Sequence, residues 1–123
     1  MNKIAATQLY AINAYITNNM EPLSDRMLNR LNSVSAAPFR QDDSFYYIYK
    51  TLAAKAAKLG CEIANTKPFE NGNEVTAAVA ALTMLEINGL KPVNYLRDID
   101  GLYQCFSEND IGKAEGWINS HVV

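Results

Sequence analysis

Apolar residues recur at helical spacing along almost the whole chain, and no pair of segments alternates as paired strands would. Leu9, Ile12 and Ile16 line one face of a first predicted helix, which ends near the asparagine pair Asn18 and Asn19, with Pro22 in the connection that follows. Ser24 or Asp25 caps a second helix with the stripe Met27, Leu28, Leu31 and Val34. The run "SAAP" stops it, because a residue before proline is pushed out of the helical region. From Tyr49 the period returns, with Leu52, Ala56, Leu59 and Ile63 on one face, Lys55, Lys58 and Glu62 opposite, and an end near Asn65. A fourth helix, over 74–88, is apolar on nearly all sides and leaves only Thr76, Thr83 and Glu86 as a polar stripe, so the other helices are expected to surround it. Gly89 supplies its left-handed stop. Tyr95, Leu96, Ile99, Leu102, Tyr103 and Phe106 predict a fifth helix, and Asn109 or Asp110 caps a sixth that turns Ile111, Ala114, Trp117 and Ile118 inward. No repeat, low-complexity tract or linker interrupts the pattern. The expectation is a single all-α domain over 1–123, a compact six-helix bundle around a central buried helix.

One segment breaks the helical period. "PFRQDDSFYYIY", residues 38–49, carries five aromatics, two acids and Arg40, and reads as a loop or short ribbon.

Composition narrows the chemistry. A chain of 123 residues can bury a core without disulfides or a structural metal. Its 11 Lys and Arg nearly balance 13 Asp and Glu, for a formal net charge of −2, so no positive field draws in a nucleic acid backbone and no nucleic acid partner is expected. Cys61 and Cys105 stand singly, and the lone histidine, His121, lies at the far end of the chain; neither a zinc spacing nor a Cys/His nucleophile pair can be assembled, and two buried thiols are expected. The start "MNKIAATQLYAINAY" lacks the layout of a signal peptide and no apolar run is long enough to cross a bilayer, which makes a cytoplasmic location without membrane attachment the expectation.

The segment with the most chemistry is "TKPFENGNEVTAA", residues 66–78, in which an Asn-Gly-Asn turn opens onto the alanine-rich helix. Glycine reaches positive φ and lets successive backbone N–H groups converge, and the helix adds the unpaired N–H groups of its first turn, which together form a nest for phosphate. The other reading is a plain turn with Asn73 as N-cap. Glu74 favours that reading, since an acid in the first turn suits the helix and repels a phosphate.

"NTKPFENGNEVTAAVAALTMLEINGL" resembles the signature of the Fic/Doc family, whose core reads His-x-Phe-x-(Asp/Glu)-(Gly/Ala)-Asn-(Lys/Gly)-Arg-Thr-Ala, and the spacing matches without a gap. "YKTLAAKAAKLGCEIAN" and "AEGWINSHV" are similar to segments of the death-on-curing (Doc) branch, so the likeness spans about residues 49–123, and the first two helices are compatible with that branch. Phe69, Gly72, Asn73, Thr76 and Ala77 match the motif. The resemblance implies that Phe69 anchors the loop and that Gly72 and Asn73 shape an anion hole around a nucleotide's phosphates. It also places Lys67 at the family's general-base histidine, Asn71 at the acid that holds Mg2+, Glu74 at a Lys or Gly, and Val75 at the arginine that grips phosphate. An ammonium has no lone pair to accept a proton, a neutral amide does not offset the charge of Mg2+, and a valine offers a phosphate nothing.

The expectation that follows is a Doc-like protein with a degenerate motif, catalytically inactive and without a cofactor, acting by protein binding in a toxin-antitoxin setting. By the resemblance its partner is an antitoxin's helical segment or a translation factor. The aromatic loop, with Phe39, Arg40, Phe45, Tyr46, Tyr47 and Tyr49, is the expected partner surface because it precedes the motif as the family's target-docking flap does. The alternative is an active kinase or AMP transferase using ATP and Mg2+ on a protein hydroxyl, with Lys67 on the phosphate and Glu70 or Glu74 on the metal. A third reading is a structural domain that binds neither nucleotide nor partner.

Overall fold

A computed structural model describes residues 1–123 and contains six α-helices: α1 Ala6–Thr17, α2 Asp25–Ala36, α3 Leu52–Thr66, α4 Asn73–Ile87, α5 Ile99–Ser107 and α6 Ile111–Asn119. A short 3-10 turn, Ala37–Phe39, extends α2. The all-α expectation holds: extended backbone occurs only as two isolated antiparallel bridges, Gln41 with Tyr47 and Pro92 with Val122. No helix is long and apolar enough to cross a membrane.

The helices begin where a side chain can take up an orphan N–H. Ser24 accepts from the Met27 amide, Thr51 from Ala54 and Asp110 from Lys113, which selects Ser24 over Asp25 and Asp110 over Asn109. Asn18 closes α1 in the left-handed conformation at φ 52. Thr51 also explains why α3 starts at Leu52 and not at Tyr49.

Helices α3 and α4 run together through the middle, with α5 and α6 against α3 and α1 against α4. Small residues dominate the buried faces of both: Ala53, Ala56 and Ala57 of α3 and Ala77, Ala78, Ala80 and Ala81 of α4 belong to one hydrophobic cluster. Leu9, Leu31, Leu59, Ile63, Met84, Leu85, Leu102, Phe106 and Ile118 fill the space around them and are completely or almost completely buried. Each such side chain contributes roughly 1.5–3 kcal/mol on leaving water. Gly60 belongs to this packing because the Phe106 ring occupies the place of a side chain; a Cβ there would lie 2.2 Å from the ring.

Four features depart from the periodic pattern. In α1 the buried positions are Ala6, Leu9 and Asn13, while Ile12 and Ile16 are only half-buried. In α3, Lys55 and Lys58 are not on a solvated face: they are 2% and 8% exposed, because the aromatic segment folds back over them. The Lys55 ammonium donates to the carbonyls of Tyr49 and Lys50 and lies 4.4 Å from the centre of the Tyr47 ring, so its three N–H groups meet two carbonyls and a π face. Burial lowers its pKa. Lys58 pairs with Glu62 at 2.5 Å and sits 5.5 Å from the Tyr49 ring centre. In α4 the surround is incomplete: Val75, Val79 and Ile87 are exposed, since neighbours cover the other sides only. Finally, α5 starts at Ile99, because Asn94 adopts a left-handed φ of 53 and residues 95–98 form turns that leave Leu96 in solvent.

Candidate functional site

The loop Lys67–Gly72 joins α3 to α4, and its shape follows from four local features. Lys67 ends α3 in the left-handed conformation, φ 48, with its amide donating to the Ile63 carbonyl, and Pro68 prevents the helix from resuming. Phe69 is 4% exposed and plugs into the core, as expected of a loop anchor. The Asn73 side chain turns back onto Phe69, accepting from its amide at 3.0 Å and donating to its carbonyl at 2.7 Å. Gly72, at φ 78, is the residue that caps α4, with its carbonyl accepting from Thr76 N–H at 2.9 Å. Asn73 is therefore the first helical residue and not the N-cap, because its amide is spent on closing the loop behind it.

The same loop is braced from the N-terminal part of the chain. Asn13, 2% exposed on α1, donates through one side-chain nitrogen to the Asn71 carbonyl at 2.9 Å and to the Thr76 hydroxyl at 3.1 Å. Glu21, 7% exposed between α1 and α2, accepts the Glu70 amide at 3.1 Å, and its own carbonyl accepts the Tyr10 hydroxyl. Neither residue was a sequence-derived candidate. Asn13 carried a signal, a polar residue four positions after Leu9 on the buried stripe of α1; Glu21 carried none.

Against the open side of the loop lies a cavity of about 630 Å³ lined by Lys67, Glu70, Asn71, Glu74, Tyr103 and Ser107, with Gly72 and Asn73 at its floor. The structure thus brings Lys67, Asn71, Gly72, Asn73 and Glu74 together and leaves Val75 out, 40% exposed on the helix. No side chain caps the first turn of α4, so its leading N–H groups are left for solvent or a ligand. The charged groups present are one ammonium and two carboxylates. Tyr103 does not supply a base, since burial and the Glu74 and Asp100 carboxylates raise its pKa and keep the phenol protonated. No three His, Cys, Asp or Glu side chains approach closely enough to hold a metal ion, and Asn71 offers only a neutral amide. With Val75 turned away as well, these residues do not fit a magnesium-bound triphosphate.

The aromatic segment is a hairpin. One carboxylate oxygen of Asp42 accepts the amides of Ser44 and Tyr46 at 2.8 and 3.1 Å, Ile48 N–H donates to the Arg40 carbonyl, and Phe45 sits at the tip with φ 66. Residues 40–48 are all exposed, with Phe45 and Tyr46 the most open rings at 80% and 69%. Phe39 instead packs on the core and meets the Tyr47 ring edge to face, and Tyr47 lays its face on Lys55. Of the six residues expected to form a partner surface, Arg40, Phe45 and Tyr46 are freely presented, while Phe39, Tyr47 and the half-buried Tyr49 mainly support them. The hairpin rests on the first half of α3 and the cavity lies at its last turn, where Ala64 and Asn65 line it; fifteen residues of helix span about 22 Å.

Neither curated proteins nor solved structures give a match to this chain. A family model described as the Fic/DOC family does, over residues 3–85. That interval takes in α1, α2, α3 and nearly all of α4, so it adds the first two helices to the 49–123 resemblance read from the motif and includes both braces on the loop. It covers more than half of the 123 residues and contains the whole Lys67–Gly72 loop, and on that ground the chain belongs to the Fic/DOC family.

Proposed function

We propose that this chain is a Fic/DOC protein of the death-on-curing type whose motif has lost group transfer, and that it acts by binding another protein in a toxin-antitoxin setting. The observation that carries this reading is the composition of the cavity. Lys67 and Asn71 occupy the places where the resemblance puts a base and a metal ligand, Glu74 adds negative charge at the mouth of the helix, and Val75 faces solvent. What remains is structural: Phe69, Gly72 and Asn73 hold the loop, and Asn13 and Glu21 secure it from α1 and its exit. The loop is thus tied by hydrogen bonds from within the chain. The surface left for binding is the hairpin, where Phe45 and Tyr46 are held out by a turn closed on Asp42. By family resemblance the partner is an antitoxin segment or a translation factor.

The test is thermal unfolding with and without millimolar ATP and Mg2+. A ligand at 100 times its Kd adds about 2.7 kcal/mol to stability, and no shift is expected here. A shift, followed by transfer of label from ATP to a protein hydroxyl, overturns the reading. The combined change Lys67→His, Asn71→Asp and Val75→Arg is expected to increase nucleotide affinity; unchanged affinity means that these positions are not what excludes the nucleotide. For the binding half, Phe45→Ser with Tyr46→Ser should abolish capture of the native partner while leaving the melting temperature in place.

A further inference from the structure

The chain contains one histidine and one tryptophan, and the fold stacks them: the rings of His121 and Trp117 lie 4.0 Å apart at 12°. His121 follows α6 in a tail that returns to the connection between α4 and α5. Val93 N–H donates to the His121 carbonyl at 2.7 Å, and Val123 N–H donates to the Lys91 carbonyl at 2.9 Å. The ring makes the remaining link. Its Nδ1 faces the Trp117 carbonyl at 2.6 Å and its Nε2 faces an Asp98 carboxylate oxygen at 2.9 Å.

Both of those partners are acceptors. A neutral imidazole carries one N–H and one lone pair, so either tautomer sets a lone pair against an oxygen; the imidazolium, with two N–H groups, satisfies both contacts. Asp98 is the charged side chain that faces the ring from the α4–α5 connection, and α6 contributes the Trp117 carbonyl and indole. The indole N–H donates to the Asp98 carbonyl at 3.0 Å, so the same residue holds both rings.

We propose that His121 is a protonation-controlled clasp: as the imidazolium it ties the tail and α6 to the α4–α5 connection, and on losing its proton it loosens that tie. Helix α5 begins at the residue after Asp98 and carries Tyr103 and Ser107 to the wall of the loop cavity, so the clasp sets how firmly that wall is held. The device stands independently of what the cavity or the hairpin binds. The hydrogen bond to Asp98, and after it the Trp117 carbonyl, raise the pKa of His121 above 6.5. Its contribution is therefore full below about pH 6.5 and is lost as the pH rises through the folded-state value.

The experiment is a proton NMR titration of the single histidine, read beside Trp117 fluorescence and hydrogen exchange at Val93 and Val123, corrected for the intrinsic pH dependence of exchange. Expected are a native titration above 6.5, a fluorescence change with the same midpoint, and weaker protection of both amides on the alkaline side. Asp98→Asn keeps the backbone carbonyl that Trp117 uses; it should move the titration down and flatten the pH dependence of protection. A native titration at or below 6.5 overturns the proposal, as does tail protection that ignores the titration in the unmodified protein.

Discussion

Replacing Gly72 by alanine tests whether the motif loop is shaped by its fit against α1. Gly72 lies at φ 78 and ψ 14, and holding an L-residue in the left-handed region costs about 1–2 kcal/mol. The added Cβ would stand 2.7 Å from the Thr17 methyl carbon and 3.3 Å from the Asn13 side-chain nitrogen. Thr17 is not free to swing aside, because its hydroxyl donates to the Asn13 carbonyl at 2.9 Å and to the Asn19 carbonyl at 3.1 Å. Overpacking of this kind costs about 1–3 kcal/mol, and the lower freedom of alanine in the unfolded chain returns about 0.4–1 kcal/mol. The net expectation is a loss of about 2.5 kcal/mol, or a fall in Tm of about 10 °C for a domain of this size. Thermal and urea unfolding followed by circular dichroism measures it. Thr17→Ser deletes the methyl and keeps the hydroxyl, so in the Gly72→Ala background it should restore about 1–2 kcal/mol, a coupling that a double-mutant cycle isolates. A Gly72→Ala protein within about 1 kcal/mol of the original, or a cycle with no coupling, refutes the idea that contact with α1 fixes the loop.

Three further outcomes are expected. Asn13→Ala removes the donor shared by the Asn71 carbonyl and the Thr76 hydroxyl in a buried position, and urea unfolding should show a loss of about 2–3 kcal/mol. Lys55→Met keeps most of the volume and relieves the desolvation of a buried ammonium, so it should cost less than about 1.5 kcal/mol, whereas Lys55→Ala leaves a void and should cost about 3 kcal/mol. Both changes should speed hydrogen exchange at the Ile48 amide; a hairpin protected as before shows that Lys55 does not hold it. The Cys61 thiol, pushed up to about 11 by burial, should resist alkylation in the native protein and react once the chain unfolds, with Cys105 modified first; mass spectrometry of a timed reaction decides the order.

Helix existence was legible because each helix carries its own apolar stripe, as in Leu28, Leu31 and Val34 of α2 or Ala114, Trp117 and Ile118 of α6. Two boundaries were legible to within one residue from their capping side chains, Ser24 and Asp110, while the Thr51 cap of α3 was missed because the apolar period already resumes at Tyr49. The pattern failed where a side chain's surroundings come from a distant part of the chain. Lys55 and Lys58 read as solvated because nothing local announces that residues 47–49 will fold over them, and Val75 and Val79 read as buried because an exposed valine has the same letter as a buried one. The site shows the same division. The residues from Lys67 to Glu74 were found by spacing along one loop, while Asn13 and Glu21 reach it from 58 and 49 positions away and leave no periodic trace. The raised pKa of Tyr103 was equally hidden, since it arises first from burial and then from the Glu74 and Asp100 carboxylates on α4 and α5, all of which only the fold brings about.

Helix α3 stands between two surfaces that share no hydrogen bond. The hairpin is fastened to its first half through Lys55 and Lys58, and the motif loop is fastened at the other end mainly to α1 and to itself. No hydrogen bond runs from Lys67 or Asn71 to the hairpin, so the body of α3 is what lies between the two surfaces. Substitutions at one end can accordingly leave the hydrogen bonds of the other end intact. A family member built in this way can change what it does without first having to lose its fold.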